Sequence, residues 1–115
     1  MTYDDLPDKV RRDGGVSEVD MGTLRDMEGA GKLGKYVRAN ISAALGERRL
    51  GHFPEELPIY QHETVRVYER DSAVGRTVAA VLHPSAAGDK VLRALGDGDD
   101  DEHEVLEQIR KLVAV

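Results

Sequence analysis

The chain has 115 residues, of which 40% are hydrophobic, and a formal net charge of −6 at pH 7. This length and composition predict one domain with one modest core. Because the sequence has no cysteine, it excludes a disulfide framework, a thiolate nucleophile and a cysteine-based zinc site. The absence of a signal-peptide pattern and of eighteen consecutive apolar residues argues against secretion and membrane spanning, which favours a cytoplasmic protein. The excess of arginine over lysine, with abundant alanine, glycine and valine, favours a bacterial source.

Charge is distributed unevenly along the chain. Residues 25–52 carry six basic and three acidic side chains, a net charge of +3, whereas the segments on either side are net negative. A local positive surface attracts an anion over about one Debye length, roughly 8 Å, even in an acidic protein. The same pattern is also typical of a solvated helix face with no ligand.

Residues 1–19 mix charged side chains with the run Asp13, Gly14 and Gly15. They show no periodic apolar face that would offset the entropy of ordering. We therefore expect a flexible N-terminal arm whose removal leaves the stability nearly unchanged, followed by a single globular domain over residues 20–115.

Two helices separated by a glycine-rich turn are predicted next. The first spans Met21–Glu28 with Asp20 as its cap, and Gly29, Gly31 and Gly34 form the turn. The second spans 35–49, and Gly51 is expected to end it in a left-handed conformation. Its apolar side follows i, i+4 spacing through Leu33, Val37, Ile41, Ala44 and Leu45.

A strand is predicted over 64–70, where Val65 and Val67 alternate with polar residues. The nearest partner is Leu50–Phe53, which would pair with it antiparallel across a loop that contains Pro54 and Pro58. The sequence therefore predicts a hairpin after the second helix.

The C-terminal part reads as helical. For residues 72–82 a helix capped by Ser72 is favoured over a second hairpin strand, Ser85 caps a further helix to Leu95, and a last helix follows the acidic linker and reaches about Val113. The predicted fold class is thus a helix-dominated α+β domain. Its expected core contains Leu33, Val37, Ile41, Leu45, Val65, Val67, Val78, Val91, Leu92, Ile109 and Leu112.

Three constellations suggest ligands, and each is incomplete. Gly29 to Lys35 matches a phosphate loop until Tyr36 replaces the hydroxyl residue that would hold magnesium, and no strand precedes it. The carboxylates Asp97, Asp99 and Asp101 lack the glycine and the bidentate glutamate of a calcium loop. The four histidines form no helical pair, so no metal site, cofactor or catalytic set is predicted; they are His52, His62, His83 and His103.

The segment 50–58 is a proline-fixed loop that displays the only phenylalanine of the chain. A fixed conformation lowers the entropy lost on binding, which makes an interaction loop of His52, Phe53, Pro54 and Pro58 one interpretation. The other interpretation is that Phe53 and Leu57 fill the core. Both can hold together.

The order short helix, turn, basic helix and hairpin resembles a winged helix-turn-helix, with 35–49 in the place of the recognition helix. The resemblance covers about 50 residues and rests on element order. It concerns architecture and carries no function by itself. The basic region 29–49 leads to the first hypothesis, a non-enzymatic protein that binds nucleic acid, with Lys32, Lys35 and Arg38 on phosphates and Asn40 or Ser42 near base edges. The candidate anion-binding residues are Lys32, Gly34, Lys35, Arg38, Asn40, Ser42, Arg48 and Arg49.

The alternative is a protein-interaction module or accessory subunit that buries apolar helix faces against a partner or against a second copy of the chain. Salt separates the two hypotheses. Phosphate binding weakens steeply with ionic strength, whereas an apolar interface responds little.

Overall fold

A three-stranded antiparallel sheet with β3 at its centre organises residues 1–96, the part of the chain that the computed structural model describes. The sheet order is β1-β3-β2, and helices dominate the remainder, which confirms the predicted α+β class. After a 3₁₀ turn at Tyr3–Asp5, the elements are α1 (Leu6–Arg12), β1 (Val16–Asp20), α2 (Met21–Glu28), α3 (Lys35–Glu47), β2 (Leu50–Phe53), β3 (Thr64–Glu69), α4 (Ala73–Leu82) and α5 (Ala86–Gly96).

The predicted hairpin is confirmed, because β2 pairs with β3 antiparallel and Gly51 lies opposite Tyr68. Strand β1 pairs along the other side of β3, with Val19 opposite Val65. This third strand was not expected. Its valines at 16 and 19 face opposite sides of the sheet, so the segment lacks the alternation by which a strand covered on one face is recognised.

The main core lies between one face of the sheet and helices α1, α2 and α3. Val65 and Val67 are fully buried there against Leu24 of α2 and Ile41 and Leu45 of α3. The predicted stripe of α3 is confirmed in this cluster, in which Leu33 is also buried and Val37 packs at the margin.

A second, smaller cluster covers the opposite face of the sheet. Tyr68 and Val16, which are register partners, pack there against Val74 and Val78 of α4. The sequence placed Val78 in a single core, whereas the structure divides the apolar residues between the two faces. Helix α4 is confirmed as a helix, and the Ser72 hydroxyl accepts a hydrogen bond from the Gly75 N–H at its start.

The prediction of a flexible arm over residues 1–19 is wrong. Leu6 and Val10, one turn apart on α1, are fully buried in the main core, and β1 is an outer strand of the sheet. Helix α1 has only seven residues, too few for an apolar period to stand out in the sequence. The charged side chains around Leu6 and Val10 masked two core positions.

The prediction that Gly51 ends the basic helix is also wrong. Helix α3 ends at Glu47, and Arg49 is the residue with left-handed backbone, at φ 59°. Gly51 instead lies within β2, where a Cβ atom would stand 2.6 Å from the ring of Tyr68. A glycine is needed at this position because the tyrosine ring crosses over it.

Helix α2 begins and ends where predicted, and the Asp20 carboxylate caps it by accepting from the Thr23 N–H at 2.7 Å. Helix α5 begins after Ser85, whose hydroxyl accepts from the Gly88 N–H. The expectation that Leu92 is buried is wrong, since it is 38% exposed, and Val91 is partly exposed. The predicted acidic linker and last helix, with Ile109 and Leu112, lie outside the described residues.

We expect Leu6→Ala to lower the free energy of unfolding by roughly 2 to 5 kcal/mol, because it removes a fully buried side chain and leaves a cavity. The matched control is Met1→Ala at a side chain that is 62% exposed, and its effect should stay within about 0.5 kcal/mol. Denaturant titration of both variants measures the difference. Equal midpoints would show that the N-terminal helix does not contribute to the core.

Gly75→Ala tests the close approach of α4 to the end of β3. An added Cβ atom would meet the carbonyl oxygen of Glu69 and stand 2.6 Å from the carbonyl carbon of Arg70. The favourable helix propensity of alanine, about 1 kcal/mol over glycine, is then outweighed by an overpacking penalty of roughly 1 to 3 kcal/mol or more. Thermal melting should therefore show a net loss of stability. Gly31→Ala, where no atom lies within 4 Å of the new Cβ, should melt like the parent.

Candidate functional site

The N-terminal end of α3 is open to solvent. Lys32, Gly34 and Lys35 are exposed, and Gly34 provides no side chain to cap the first turn. Among the described residues, neither lysine forms an ion pair or a side-chain hydrogen bond. Helix N–H groups in the first turn lack partners within the helix and carry part of the positive end of its dipole. This end of α3 therefore combines two cations with unpaired backbone donors.

The outer face of α3 is lined by Tyr36, Ala39, Asn40 and Ala43, all of which are exposed. Tyr36 is 81% exposed, so an aromatic ring stands beside Lys35. The two alanines leave the helix backbone accessible, and Asn40 offers a paired donor and acceptor. Small side chains around one amide suit close contact with another surface.

Arg38, a predicted phosphate contact, faces inward. It is half-buried, its Nη1 donates to the carbonyl oxygen of Leu57 at 3.3 Å, and its buried Nε has no partner among residues 1–96. Leu57 is itself buried in the main core. Arg38 thus connects α3 to the loop between β2 and β3, and it does not stand beside the two lysines as a third exposed cation.

Arg48 and Arg49 are likewise occupied within the protein. Arg48 donates to Asp4 and to the carbonyl of Ala44, each at 2.8 Å, and its guanidinium lies 5.3 Å from the centre of the Tyr3 ring. Arg49 forms a two-point ion pair with Asp71. Hydrogen bonds from this guanidinium lower the pKa of Asp71 below its ordinary value. Arg48 thus connects the end of α3 to the N-terminal 3₁₀ turn, and Arg49 connects the residue before β2 to the turn after β3.

Ser42, predicted near base edges, contacts His52 instead. The Ser42 Oγ lies 2.8 Å from His52 Nε2, and His52 Nδ1 lies 2.8 Å from the carbonyl oxygen of Pro54. A carbonyl only accepts, so Nδ1 carries the proton, and in a neutral imidazole Nε2 must then accept from the serine hydroxyl. The result is an oriented serine and histidine pair that the spacing in the sequence, ten residues, did not suggest.

The loop that follows β2 contributes to the core, as one of the two sequence interpretations predicted, whereas its role as an interaction loop stays a prediction. Leu57 is buried in the main core, Phe53 packs against the second cluster, and the Phe53–Pro54 peptide bond is cis. Pro58 is half-buried and Pro54 exposed. After Leu57, which anchors the loop, the side chains of Ile59, Tyr60 and His62 are exposed. The rings of Tyr60 and His62 are stacked, with their centres 5.9 Å apart.

A cavity of about 560 Å³ opens at the outer side of β2, the edge strand next to α3 and α4. Ser42 and His52 lie at one side of it, and Tyr68 and Arg70 line it as well. Sequence reasoning missed Tyr68 and Arg70, because both read as ordinary residues of a strand. The one available signal was Gly51 within a predicted strand, since a glycine there often marks the close approach of another group.

The glycine-rich turn is not a phosphate loop. Helix α2, and not a strand, precedes it, and Gly29 is the left-handed cap of that helix. Within residues 1–96, no three His, Asp or Glu side chains come together closely enough to hold a metal ion. No helix in the same range is long and apolar enough to cross a membrane. The carboxylates at 97, 99 and 101 and His103 lie outside the described residues.

Comparison of the chain with protein-family models, with curated proteins and with solved structures finds no match. A functional assignment must therefore come from the geometry itself.

The contact between Ser42 and His52 predicts a tautomer. At about pH 8, where imidazole groups are ordinarily neutral, long-range proton–nitrogen spectra should show the proton of His52 on Nδ1. The exposed His62 serves as the reference within the same sample. Ser42→Ala should leave the proton on Nδ1, because Pro54 still accepts from it. A proton found mainly on Nε2 of His52 would contradict the described hydrogen bonds.

Proposed function

We propose that this protein is a non-enzymatic nucleic-acid-binding domain that places α3 in the major groove of double-stranded DNA. The observation that carries the proposal is the outer face of α3, where small side chains surround Asn40 and two unpaired lysines flank the N-terminal end. An α-helix fits the major groove, and recognition helices contact base edges near their N-terminal ends.

The chemistry of this face matches base and phosphate contacts. An asparagine side chain forms two hydrogen bonds with adenine, and an alanine methyl contacts the methyl group of thymine. Asn40 and Ala43 have those roles in the proposal. Lys32 and Lys35 contact phosphates together with the N–H groups that follow Gly34. Tyr36, beside Lys35, adds a hydroxyl that hydrogen-bonds to a phosphate.

Element order supports the same proposal. A winged helix-turn-helix needs a helix before the helical pair, and α1 fills that place, while α2, α3 and the β2–β3 hairpin follow in the expected order. The arrangement is compatible with such a core, but element order does not determine function, and the exposed face of α3 is what favours DNA.

The net charge of −6 is less unfavourable to this proposal than the total suggests. Residues 1–96 hold 14 basic and 15 acidic side chains, a net charge of −1, whereas residues 97–115 hold two basic and seven acidic ones, a net charge of −5. Most of the acidic excess therefore belongs to the C-terminal segment. A nearly neutral domain with a local cationic end can bind phosphate at low salt.

The test replaces Lys32 and Lys35 together by glutamine and titrates labelled duplex DNA at several salt concentrations. Exposed lysines contribute little to stability, so the variant should fold like the parent and bind more weakly. Each lost phosphate contact should lower the dependence of log affinity on log salt by about 0.9. The matched control is Lys90→Gln with Arg93→Gln on α5, which removes the same charge from two other exposed positions.

Binding that falls equally in both double variants would show that net charge, and not the end of α3, governs the affinity. A parent chain that binds no duplex even at low salt would end the nucleic-acid proposal.

A protein-interaction module is the second candidate, and the loop between β2 and β3 is the observation that favours it. Ile59 is 52% exposed and Tyr60 58% exposed, although both are large and apolar. Anchoring through Leu57 and Arg38 limits the motion of the loop, which lowers the entropy lost on binding. An interface of this kind, with a protein partner or with a second copy of the chain, should persist at high salt.

A further inference from the structure

The open edge of β2 gathers polar groups that have no role in the proposed contact with DNA. Tyr68 extends from the central strand across Gly51, so that its hydroxyl oxygen lies 2.7 Å from where a Cβ atom of residue 51 would be. The hydroxyl therefore lies over β2, at the cavity that Gly51 and Tyr68 both line. This hydroxyl has no hydrogen-bond partner within residues 1–96, although Tyr68 as a whole is only 7% exposed.

Arg70 supplies the positive charge. Its guanidinium reaches across towards the C-terminal end of α3, with Nη2 3.7 Å from where a Cβ atom of Gly46 would stand. Two neighbouring arginines are engaged by protein oxygens. Arg49, whose carbonyl accepts from the Arg70 N–H, forms an ion pair with Asp71, and Arg76 donates to the carbonyl of Asp71. Arg70 has no such partner in the described part of the chain, so its five N–H donors are available to a ligand.

The Tyr68 hydroxyl and the Arg70 guanidinium lie close enough to influence one another. Burial raises the pKa of Tyr68, and the charge of Arg70 acts in the opposite direction. The hydroxyl therefore stays protonated near neutral pH and can donate a hydrogen bond. A neutral donor beside an unpaired guanidinium is a suitable environment for a carboxylate.

The wall contributed by α4 is apolar. Val78, Ala79 and Leu82 line the cavity on that side, and Gly75 brings the helix close to the end of β3. The cavity volume of about 560 Å³ lies within the range of sites for small organic molecules. A ligand that fits has an anionic head at Arg70 and an apolar body along α4.

We propose that the cavity at the edge of β2 binds a small organic acid, whose carboxylate is held by Arg70 and the Tyr68 hydroxyl and whose apolar part packs on Val78 and Leu82. Ser42 borders the same space, and because its proton is donated to His52 its oxygen accepts from any donor on the ligand. This site is independent of the proposed contact with DNA.

The carboxylate of Glu55 lines the cavity and predicts the direction in which a substitution there changes ligand affinity. Glu55 Oε1 lies 3.1 Å from His83 Nε2, and both side chains line the cavity. The other titratable groups that line it are His52, Tyr68 and Arg70. A carboxylate in the same space repels an anionic ligand and is offset by His83 only when that imidazole is protonated. Glu55→Gln should therefore tighten the binding of an organic acid.

The experiment titrates the full chain with sodium benzoate at constant ionic strength and follows the backbone amide signals by nuclear magnetic resonance. Saturable shifts at Gly51 and Gly75 are expected. Benzyl alcohol, which has the same ring without the charge, should bind at least about tenfold more weakly, because it forms no charge-assisted hydrogen bond with Arg70. This comparison needs no substitution and therefore carries no risk of misfolding.

Two arginine variants then show which positive charge binds the carboxylate of the ligand. Arg70→Gln should weaken benzoate binding by about tenfold or more, whereas Arg76→Gln, an exposed arginine on α4 outside the cavity, should bind like the parent. Glu55→Gln should bind more tightly than the parent. The proposal is overturned if benzoate causes no saturable shift, if benzyl alcohol binds equally well, or if both arginine variants lose binding to the same extent.

Discussion

Every layer of the described domain depends on β3. This strand pairs with β1 on one side and β2 on the other, and it supplies buried residues to both faces of the sheet. Val65 and Val67 pack under α1, α2 and α3, and Tyr68 packs under α4. Since side chains of a strand alternate between faces, a shift of one residue in register would exchange these two sets and disrupt both clusters.

The size of Tyr68 explains two features outside the core. Its ring covers Gly51, which forces a glycine into the edge strand, and its hydroxyl reaches the cavity beyond that strand. Packing and the proposed ligand site thus share one side chain. The ring contributes apolar burial, while the hydroxyl keeps a polar group at the boundary of the sheet, as tyrosines commonly do.

Arginines and lysines of the basic segment, residues 25–52, have different roles. Arg38, Arg48 and Arg49 each bind a carbonyl or a carboxylate of another element, which suits a planar group with several donors. Lys32 and Lys35 make no such contact within residues 1–96 and stay exposed at the end of α3. A positive segment in the sequence therefore overstates the positive surface, because its four arginines, Arg25 included, are engaged in internal contacts and only its two lysines are not.

The sequence by itself determined the elements whose signals are local. The cap at Asp20, the stripe of α3, the alternation in β3 and the cap at Ser72 each depend on residues a few positions apart. All four elements are present, although α3 and β3 end before their predicted last residues. Within the candidate site, only the exposure of Lys32, Lys35 and Asn40 was predictable, because Lys32 lies in the glycine-rich turn and the other two lie off the apolar stripe of α3. The tertiary structure alone decided the burial of Leu6 and Val10, the third strand, the hydrogen bond between Ser42 and His52, and the meeting of Tyr68 and Arg70 at the edge of β2. The physical reason is that contacts between distant segments depend on register and packing, which no local period in the sequence encodes.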